Sequence, residues 1–254
     1  MKIGLIGTGT IGTFLLDKIN TDKIFPSARI TAVFDEREKA KTVLPELAST
    51  YGFSVFQEID SFLEADIDVI VECANVEVVK KYAAQILQKK ELIIISIGAL
   101  VDPLFHEKLQ TIAKLNNQKL HLPSGAIGGL DVIKAAKVMD GLDTVTLVTR
   151  KPFRAFSIEP LSVETTIFEG SAKDAISKFP KNANVAITLS LAGIGVDKTN
   201  VKIIADPNVD KNLHQIEAHG DFGKLTIKIE NNPSPTNPKT SYLTGLSILS
   251  ILAQ

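Results

Sequence analysis

Three glycines near the N-terminus have the spacing of a dinucleotide-binding turn. The apolar run Ile3 to Ile6 is followed by Gly7, Gly9 and Gly12, and then by apolar residues at helical spacing. In such a turn the first glycine makes the bend, the second lets the backbone approach a pyrophosphate, and the third allows helix and strand to pack closely. The N–H groups of the first helical turn then face the phosphates. The predicted cofactor-binding residues here are Gly7, Gly9, Thr10, Ile11 and Gly12.

An acidic residue follows the second predicted strand, Arg29 to Phe34. Asp35 lies 23 residues after Gly12 (35 minus 12), where a carboxylate that binds the adenosine ribose of NAD is expected. Arg37 lies two positions later and is suited to pairing with the 2′-phosphate of NADP. The pattern favours NAD and leaves use of NADP open. The alternative role of Asp35 is to cap a helix that begins at Glu36.

The composition excludes several classes of protein. The chain has 254 residues, 44% of them hydrophobic, and a net charge of −1, so two packed domains are expected and a polyanion-binding surface is not. We expect no nucleic-acid partner and no membrane span, because no apolar run reaches about 18 residues. The early glycines argue against a signal peptide, so a cytoplasmic location is expected. The single cysteine, Cys73, is interpreted as a small buried apolar residue, and no Cys/His spacing predicts a metal site.

The first half of the chain alternates strand and helix, which predicts a Rossmann-type, doubly wound parallel sheet. Helices are predicted up to about Asn20, through Leu44, from an N-cap at Asn75, and from Asp102 with Pro103 in the first turn. The predicted strands are Lys2 to Ile6, Ile30 to Phe34, Ile67 to Glu72, Leu92 to Ser96 and Lys119 to Leu122.

After Pro123 the pattern changes to polar and β-branched runs, which predicts an α+β domain with a mixed or antiparallel sheet. Its predicted strands are Thr144 to Thr149, Val163 to Glu169, Val201 to Ala205, Leu213 to Ala218 and Lys224 to Ile229, with helices at Ser171 to Phe179 and Asn184 to Ala192. A final helix, Ser241 to Ala253, is expected to return to the first domain. The predicted domains are 1–122 with 240–254, and 123–239.

Four further segments are informative, and all of them except FPKNANVA are richer in turn formers and polar groups than packing requires. They are PSGAIGGLD at 123–131, FPKNANVA at 179–186, NLHQIEAHGDFG at 212–223 and ENNPSPTNPKTS at 230–241. Together with GTGTIG, and in this order, they resemble the L-aspartate dehydrogenase family over essentially the whole chain.

The resemblance implies NAD(P)-dependent oxidative deamination of L-aspartate. The imine formed is hydrolysed to oxaloacetate and ammonia, or the reaction runs as the reverse amination, and some family members supply the imine for NAD synthesis. The histidine of the NxH motif, here His214, is implied to be catalytic, while Ala126 and Asn184 are implied to contact the cofactor. His219 lies outside the motif. A homodimer formed through the sheet of the second domain is also implied.

The chemistry of these residue types agrees with the implied roles. An ordinary histidine titrates near neutral pH, so His214 is expected to take a proton from a water molecule or give one to an intermediate. Its alternative role is that of a strand histidine bonded to a neighbour. Ala126 would act through its backbone N–H, or else lie in a helix-entry turn capped by Ser124 or Gly125. The side chain of Asn184 can both donate and accept, which suits a contact with the carboxamide or ribose of the cofactor. Its alternative role is to cap a helix that begins at Val185.

A dicarboxylate substrate also needs cations and hydroxyl donors. Lys239, in NPKTS, is the first candidate for the cation, because it belongs to one of the motifs that carry the resemblance. The alternative for each cation is a solvated surface position. The remaining candidates are Arg150, Lys151 and Arg154 as cations, and Ser96, Thr240 and Ser241 as hydroxyl donors.

Two other functions stay open at this point. One is a related two-domain reductase that acts on another small acid, of dihydrodipicolinate or homoserine type. The other is a non-catalytic NAD(P)-binding sensor, because a fold does not fix a function. The NxH and NPKTS motifs favour the aspartate enzyme over both.

Overall fold

A computed structural model of the chain describes residues 1–38, 40–156, 158–179, 184–235 and 237–254, with only the backbone of 238 and 239. The chain divides into two compact units, Met1–Pro123 with Ile248–Gln254, and Ser124–Ser247. Each unit has its own sheet.

The described strands of the first unit form a parallel sheet in the order β3-β2-β1-β4-β5-β6. They are β1 (Lys2–Ile6), β2 (Arg29–Phe34), β3 (Ser54–Phe56), β4 (Val69–Glu72), β5 (Glu91–Ile94) and β6 (Leu120–His121). This confirms the doubly wound parallel sheet. The strand order reverses between β1 and β4, and ligands of such sheets bind at the carboxyl ends of the strands beside that point.

Helices connect these strands, and two of them begin at a side-chain cap. The helices are α1 (Thr10–Leu16, continued by a π-helical turn at Asp17–Thr21), α2 (Ala40–Tyr51), α3 (Ile59–Leu63), α4 (Val76–Ile86) and α5 (Pro103–Leu115), with a 3₁₀ turn at Ile97–Val101. The Asn75 side chain accepts from the Val78 N–H at 3.0 Å, and Asp102 accepts from the Leu104 N–H at 3.0 Å. Both predicted caps are therefore confirmed.

Three predictions for this unit are wrong. The second helix does not end at Leu44 but continues to Tyr51, because Pro45 lies in its second turn, where the missing N–H removes one early ladder bond. Since α2 begins at Ala40, Asp35 does not cap a helix at Glu36. The fourth predicted strand ends at Ile94 rather than Ser96, because the Ser96 N–H bonds to the Glu72 side chain at 3.0 Å.

The second unit has a mixed sheet in the order β11-β10-β7-β9-β8, which confirms the predicted α+β class. β7 and β9 are parallel, and the other neighbours are antiparallel. The strands are β7 (Thr144–Pro152), β8 (Thr165–Ser171), β9 (Asn200–Asp206), β10 (Asn212–Gly220) and β11 (Gly223–Asn231), with a separate hairpin of β12 (Pro233–Ser234) and β13 (Asn237–Ser241).

The described helices after residue 123 are α6 (Leu130–Lys137), α7 (Ala172–Lys178), α8 (Asn184–Ala192) and α9 (Tyr242–Leu252), and a 3₁₀ turn spans Phe153–Phe156. Gly129 is the N-cap of α6, so the alternative cap at Ser124 or Gly125 is wrong. Gly129 has a φ of +73°, and a Cβ at this position would lie 2.1 Å from Ile227 Cδ1. A glycine is therefore needed where this turn packs on β11.

The two faces of the second sheet differ in burial. Side chains alternate along β7 and β10, so every second residue lies on the covered face. That face carries Val145, Leu147, Ile216 and Ala218, which are at most 2% exposed. Towards the end of β7 the covered face becomes polar, and the candidate catalytic histidine lies there.

Candidate active site

A pocket lies at the carboxyl ends of three neighbouring strands of the first unit. We call it the glycine pocket. It lies beside the point where the strand order reverses, as the doubly wound sheet predicts. It is lined by Ile6, Gly7, Gly9, Phe34, Asp35, Glu36, Arg37, Cys73, Ala74, Asn75 and Val78.

Each of the three glycines of the turn is required for a different physical reason. A Cβ on Gly7, whose φ is +89°, would lie 2.9 Å from Ala74 Cα, and one on Gly12 would lie 2.3 Å from the Gly7 carbonyl oxygen. A Cβ on Gly9 would meet no described atom within 4 Å. The space beside Gly9 is therefore open, at the first turn of α1, where Thr10 and Ile11 follow. This open cradle at a helix start fits a pyrophosphate.

Asp35 and Arg37 form one unit at the rim of the glycine pocket. Asp35 accepts hydrogen bonds from the Thr8 N–H at 3.2 Å, from the Thr8 hydroxyl at 3.1 Å and from Arg37 Nε at 2.8 Å, and it pairs with Arg37 Nη2. Burial raises the pKa of Asp35, but the hydrogen bonds from Arg37 and Thr8 outweigh burial and hold that pKa below its usual value. The carboxylate is thus ionised at neutral pH.

Glu72, at the end of β4, is a functional candidate that the sequence patterns do not reveal. It is 1% exposed and accepts from the Ala74 N–H at 2.7 Å, the Ser96 N–H at 3.0 Å and the Ser96 hydroxyl at 2.8 Å. Burial raises the pKa of Glu72, and these hydrogen bonds act against burial. An acid that ends an otherwise apolar strand was the available signal.

Glu72 determines the hydrogen bonding of Ser96 and contributes to the protonation state of Cys73. The hydroxyl hydrogen of Ser96 is used by the bond to Glu72, so Ser96 is not an available hydroxyl donor in this conformation. Burial first, and then the charge of Glu72, raise the pKa of the Cys73 thiol well above its usual value. Cys73 is therefore a protonated thiol and no nucleophile.

His214 lies in the second unit, on the covered face of β10, the strand between β11 and β7. It pairs with Thr149 of β7 on one side and with Ile229 of β11 on the other. Its ring is 3% exposed, and Nδ1 lies 3.0 Å from the Thr149 hydroxyl oxygen. Lys151, two residues beyond Thr149, lies on the same face and is 8% exposed. We call Thr149, Lys151 and His214 the histidine cluster.

Burial controls the charge states of the histidine cluster. Burial first, and then the positive charge of Lys151, lower the pKa of His214 to about 3. Burial also lowers the pKa of Lys151 to about 8. The expectation that His214 titrates near neutral pH is therefore wrong, because its buried ring disfavours the cation. At neutral pH His214 is an uncharged imidazole beside an ammonium group.

The other predicted cations lie elsewhere. Arg150 lies on the opposite face from His214, where Nη1 contacts Asp206 at 2.5 Å and also binds Glu164. Arg154 lies in the 3₁₀ turn, with its guanidinium 5.5 Å from the Phe153 ring centroid. The side chain of Lys239 lies outside the described residues. Thr240 of β13 is half-buried, and Ser241 is buried.

Asn231, at the end of β11, forms a hydrogen bond with the predicted residue Ala126. It is 4% exposed, and Nδ2 donates to the Ala126 carbonyl at 3.1 Å. Its Oδ1 is buried without a hydrogen-bond partner among the described residues. Asn184 is exposed and is itself the first residue of α8, so a helix that begins at Val185 is not observed.

Comparisons with known proteins cover the whole chain. A family model described as "Aspartate dehydrogenase, C-terminal" matches residues 131–254, and one described as "Homoserine dehydrogenase, NAD binding domain" matches residues 7–123. An L-aspartate dehydrogenase of Methanosarcina mazei is 39% identical over 99% of this chain and 96% of its own length. The chain belongs to the L-aspartate dehydrogenase family.

Further relatives agree with membership of the L-aspartate dehydrogenase family. The L-aspartate dehydrogenase of Nitrosopumilus maritimus is 38% identical over 99% of this chain and 95% of its own length. The crystal structure of aspartate dehydrogenase from Thermotoga maritima superimposes with a TM-score of 0.81 at 34% identity, over 100% of this chain and 95% of that one.

Two kinds of feature are absent from the part of the chain that the structure describes. Within the described ranges, no helix has the length and apolar character needed to cross a membrane. Within the same ranges, no three His, Cys, Asp or Glu side chains come together as a metal site.

Proposed function

We propose that the protein is an NAD(P)-dependent L-aspartate dehydrogenase. It oxidises L-aspartate to iminoaspartate, which is hydrolysed to oxaloacetate and ammonia, and it catalyses the reverse amination. The observation that carries this proposal is the 39% identity to an L-aspartate dehydrogenase over 99% of this chain. The glycine pocket and a buried neutral histidine supply the two kinds of group that the reaction needs.

The glycine pocket would hold a pyridine dinucleotide, which accepts the hydride from the substrate Cα when bound. Open space at Gly9 and the first turn of α1 suit the pyrophosphate, with Gly7, Thr10, Ile11 and Gly12 completing the turn. Asp35 would accept the ribose hydroxyls, which favours NAD, while Arg37 makes NADP the second choice. The family resemblance adds Ala126 and Asn184 as cofactor contacts.

His214 would manage protons in the hydrolytic step. Because its ring is neutral, Nε2 can accept a proton from the water that adds to the imine carbon, provided that Nδ1 carries the ring hydrogen and donates it to Thr149. The protonated ring can then return this proton to the nitrogen as ammonia leaves. Thr149 thus selects the tautomer, and His214 is the proposed catalytic acid and base.

The proposal extends to the oligomeric state and the cellular location of the enzyme. The face of the second sheet opposite His214 carries half-exposed Thr146, Val148, Gln215 and Glu217, a mixed surface suited to a homodimer contact. We place the enzyme in the cytoplasm, where iminoaspartate would feed NAD synthesis. Thr240 and Lys239 stay proposed substrate contacts on the strength of the NPKTS motif.

The test is a panel of L-amino acids incubated with the purified protein and NAD or NADP, with the reduced nicotinamide measured by absorbance. The reverse direction is measured with oxaloacetate, ammonium and NADH. Selective turnover of L-aspartate supports the proposal. Nucleotide binding without turnover of any amino acid contradicts it and favours a sensor, while turnover of another small acid favours a related reductase.

A further inference from the structure

Four buried polar side chains lie together at one end of the second sheet. Thr149 and Ile229 flank His214 in register on β7 and β11, and two residues further along those strands are Lys151 and Asn231. Because side chains alternate along a strand, Lys151 and Asn231 lie on the same covered face as His214. They are 8% and 4% exposed. The histidine cluster and Asn231 therefore form a row of polar side chains across three strands.

The spacing of this row suits a small amino acid. Strands lie about 4.8 Å apart, so the backbones at Lys151 and Asn231 are roughly 10 Å apart, with β10 between them. The four-carbon stem of lysine shortens the gap that a ligand must bridge. A molecule with a carboxylate at one end and an amine a few bonds away matches this distance.

The chemistry of the two ends is complementary to such a molecule. Lys151 offers an ammonium group in a buried setting, where a carboxylate is the matching partner. At the other end, Asn231 Oδ1 is a buried acceptor without a partner among the described residues, and a buried acceptor of this kind is costly unless an N–H group reaches it. Arg150 is not an alternative cation, because it faces the other side of the sheet and binds Asp206.

We infer that Lys151 and Asn231 form the two ends of the substrate subsite around His214. The Lys151 ammonium binds a carboxylate of the dicarboxylate substrate, and Asn231 Oδ1 accepts a hydrogen bond from the substrate nitrogen. This inference rests on the proposed function. It names the residues that distinguish an amino dicarboxylate from other amino acids, and it places the reacting carbon beside His214.

The first experiment measures reductive amination in the Lys151→Met variant. The KM for oxaloacetate is expected to rise about tenfold or more, the loss of one charge-assisted contact, while the KM for ammonium and the Kd for NADH change less than about twofold. Lys173→Met, which removes an exposed lysine of α7, is the matched control and is expected to keep every constant. An unchanged KM for oxaloacetate in Lys151→Met would overturn the assignment.

The second experiment concerns Asn231. Asn231→Ala is expected to raise the KM for ammonium about tenfold and leave the KM for oxaloacetate nearly unchanged. If the Kd for NADH rises instead, Asn231 serves the amide of the cofactor and its assignment to the substrate is wrong. Because Asn231 also binds Ala126, Asn231→Ser is measured in parallel, and melting temperatures show which variant is folded.

A binding measurement separates this inference from the proposed function. Succinate, a dicarboxylate without an amine, is titrated calorimetrically into the NAD-loaded protein and into Lys151→Met. Binding that is lost in Lys151→Met supports the subsite even if L-aspartate is not turned over, in which case the proposed function alone fails. Equal affinity in both proteins, or no binding to the unchanged protein, overturns the subsite.

Discussion

The glycine pocket and the histidine cluster handle polar groups in opposite ways. The pocket is built from backbone at open turns, and its main side chain, Asp35, is kept ionised by hydrogen bonds from Thr8 and Arg37. The cluster is built from side chains on a covered sheet face, where burial keeps His214 neutral. In the first region hydrogen bonds keep a carboxylate charged, and in the second burial keeps an imidazole neutral. The comparison teaches that the balance between burial and hydrogen bonding sets the charge of a side chain, with opposite results for Asp35 in one unit and His214 in the other.

The largest effect should come from the histidine cluster. His214→Ala is expected to lower kcat by about 10² to 10⁴, the usual contribution of a general acid or base, with the Kd for NAD almost unchanged. His219→Ala is the matched control, because His219 is an exposed histidine of the same strand that pairs with Asp143. Steady-state kinetics and nucleotide titration check both variants. Equal turnover in His214→Ala would show that this region does not do the chemistry.

Gly12 and Gly9 of the glycine turn should respond differently to substitution by alanine. Gly12→Ala places a Cβ 2.3 Å from the Gly7 carbonyl, so the free energy of unfolding should fall by about 1 to 3 kcal/mol. In Gly9→Ala the added methyl group lies in open space, so the free energy of unfolding should not change. The Kd for NAD should rise about tenfold, because the methyl group occupies the space of the pyrophosphate. Urea unfolding and nucleotide titration separate the two effects. A stable Gly12→Ala protein would contradict the packing argument.

Acid should destabilise the second unit through His214. The pKa of this histidine is about 3 in the folded chain against 6.5 as the ordinary value, so between these values only the unfolded chain takes up the proton. Stability must therefore fall as the pH falls, by about 2 kcal/mol between pH 6.5 and pH 5. Urea unfolding at several pH values measures this slope. His214→Gln should lose that part of the slope, and an identical slope in both proteins would refute the buried neutral histidine.

The smallest expected effect concerns cofactor choice. Asp35→Ala should raise the Kd for NAD about tenfold and that for NADP less, because only the former loses a ribose contact. Arg37→Ala should act the other way and weaken NADP more. If neither substitution changes either Kd, the rim of the glycine pocket is not the ribose site.

Local signals predict much of the first unit. The glycine turn, the caps at Asn75 and Asp102 and the parallel sheet follow from residues close together in the sequence. β3 and α3 are too short for their hydrophobic residues to show a helical or strand period. In the second unit, α6 is harder to predict because it starts at a left-handed glycine rather than at a polar cap. In the second unit α8 is predicted to the residue, from Asn184 to Ala192.

The candidate site is harder to predict, because it depends on strand register. Thr149, Arg150 and Lys151 are adjacent in sequence, yet only a known pairing with β10 places Thr149 and Lys151 beside His214 and Arg150 on the opposite face. A shift of one residue would exchange these roles. The depressed pKa of His214 has the same origin, since its burial is a property of the assembled sheet.

The most direct test follows a hydrogen atom. L-aspartate deuterated at Cα is incubated with the purified protein and NAD, and the reduced nicotinamide is examined by NMR. The account predicts deuterium in the reduced nicotinamide and oxaloacetate with ammonium as products, with this transfer strongly reduced in His214→Ala. Reduced nicotinamide without deuterium, or no reduction by L-aspartate at all, would contradict the assignment of this protein as an aspartate dehydrogenase.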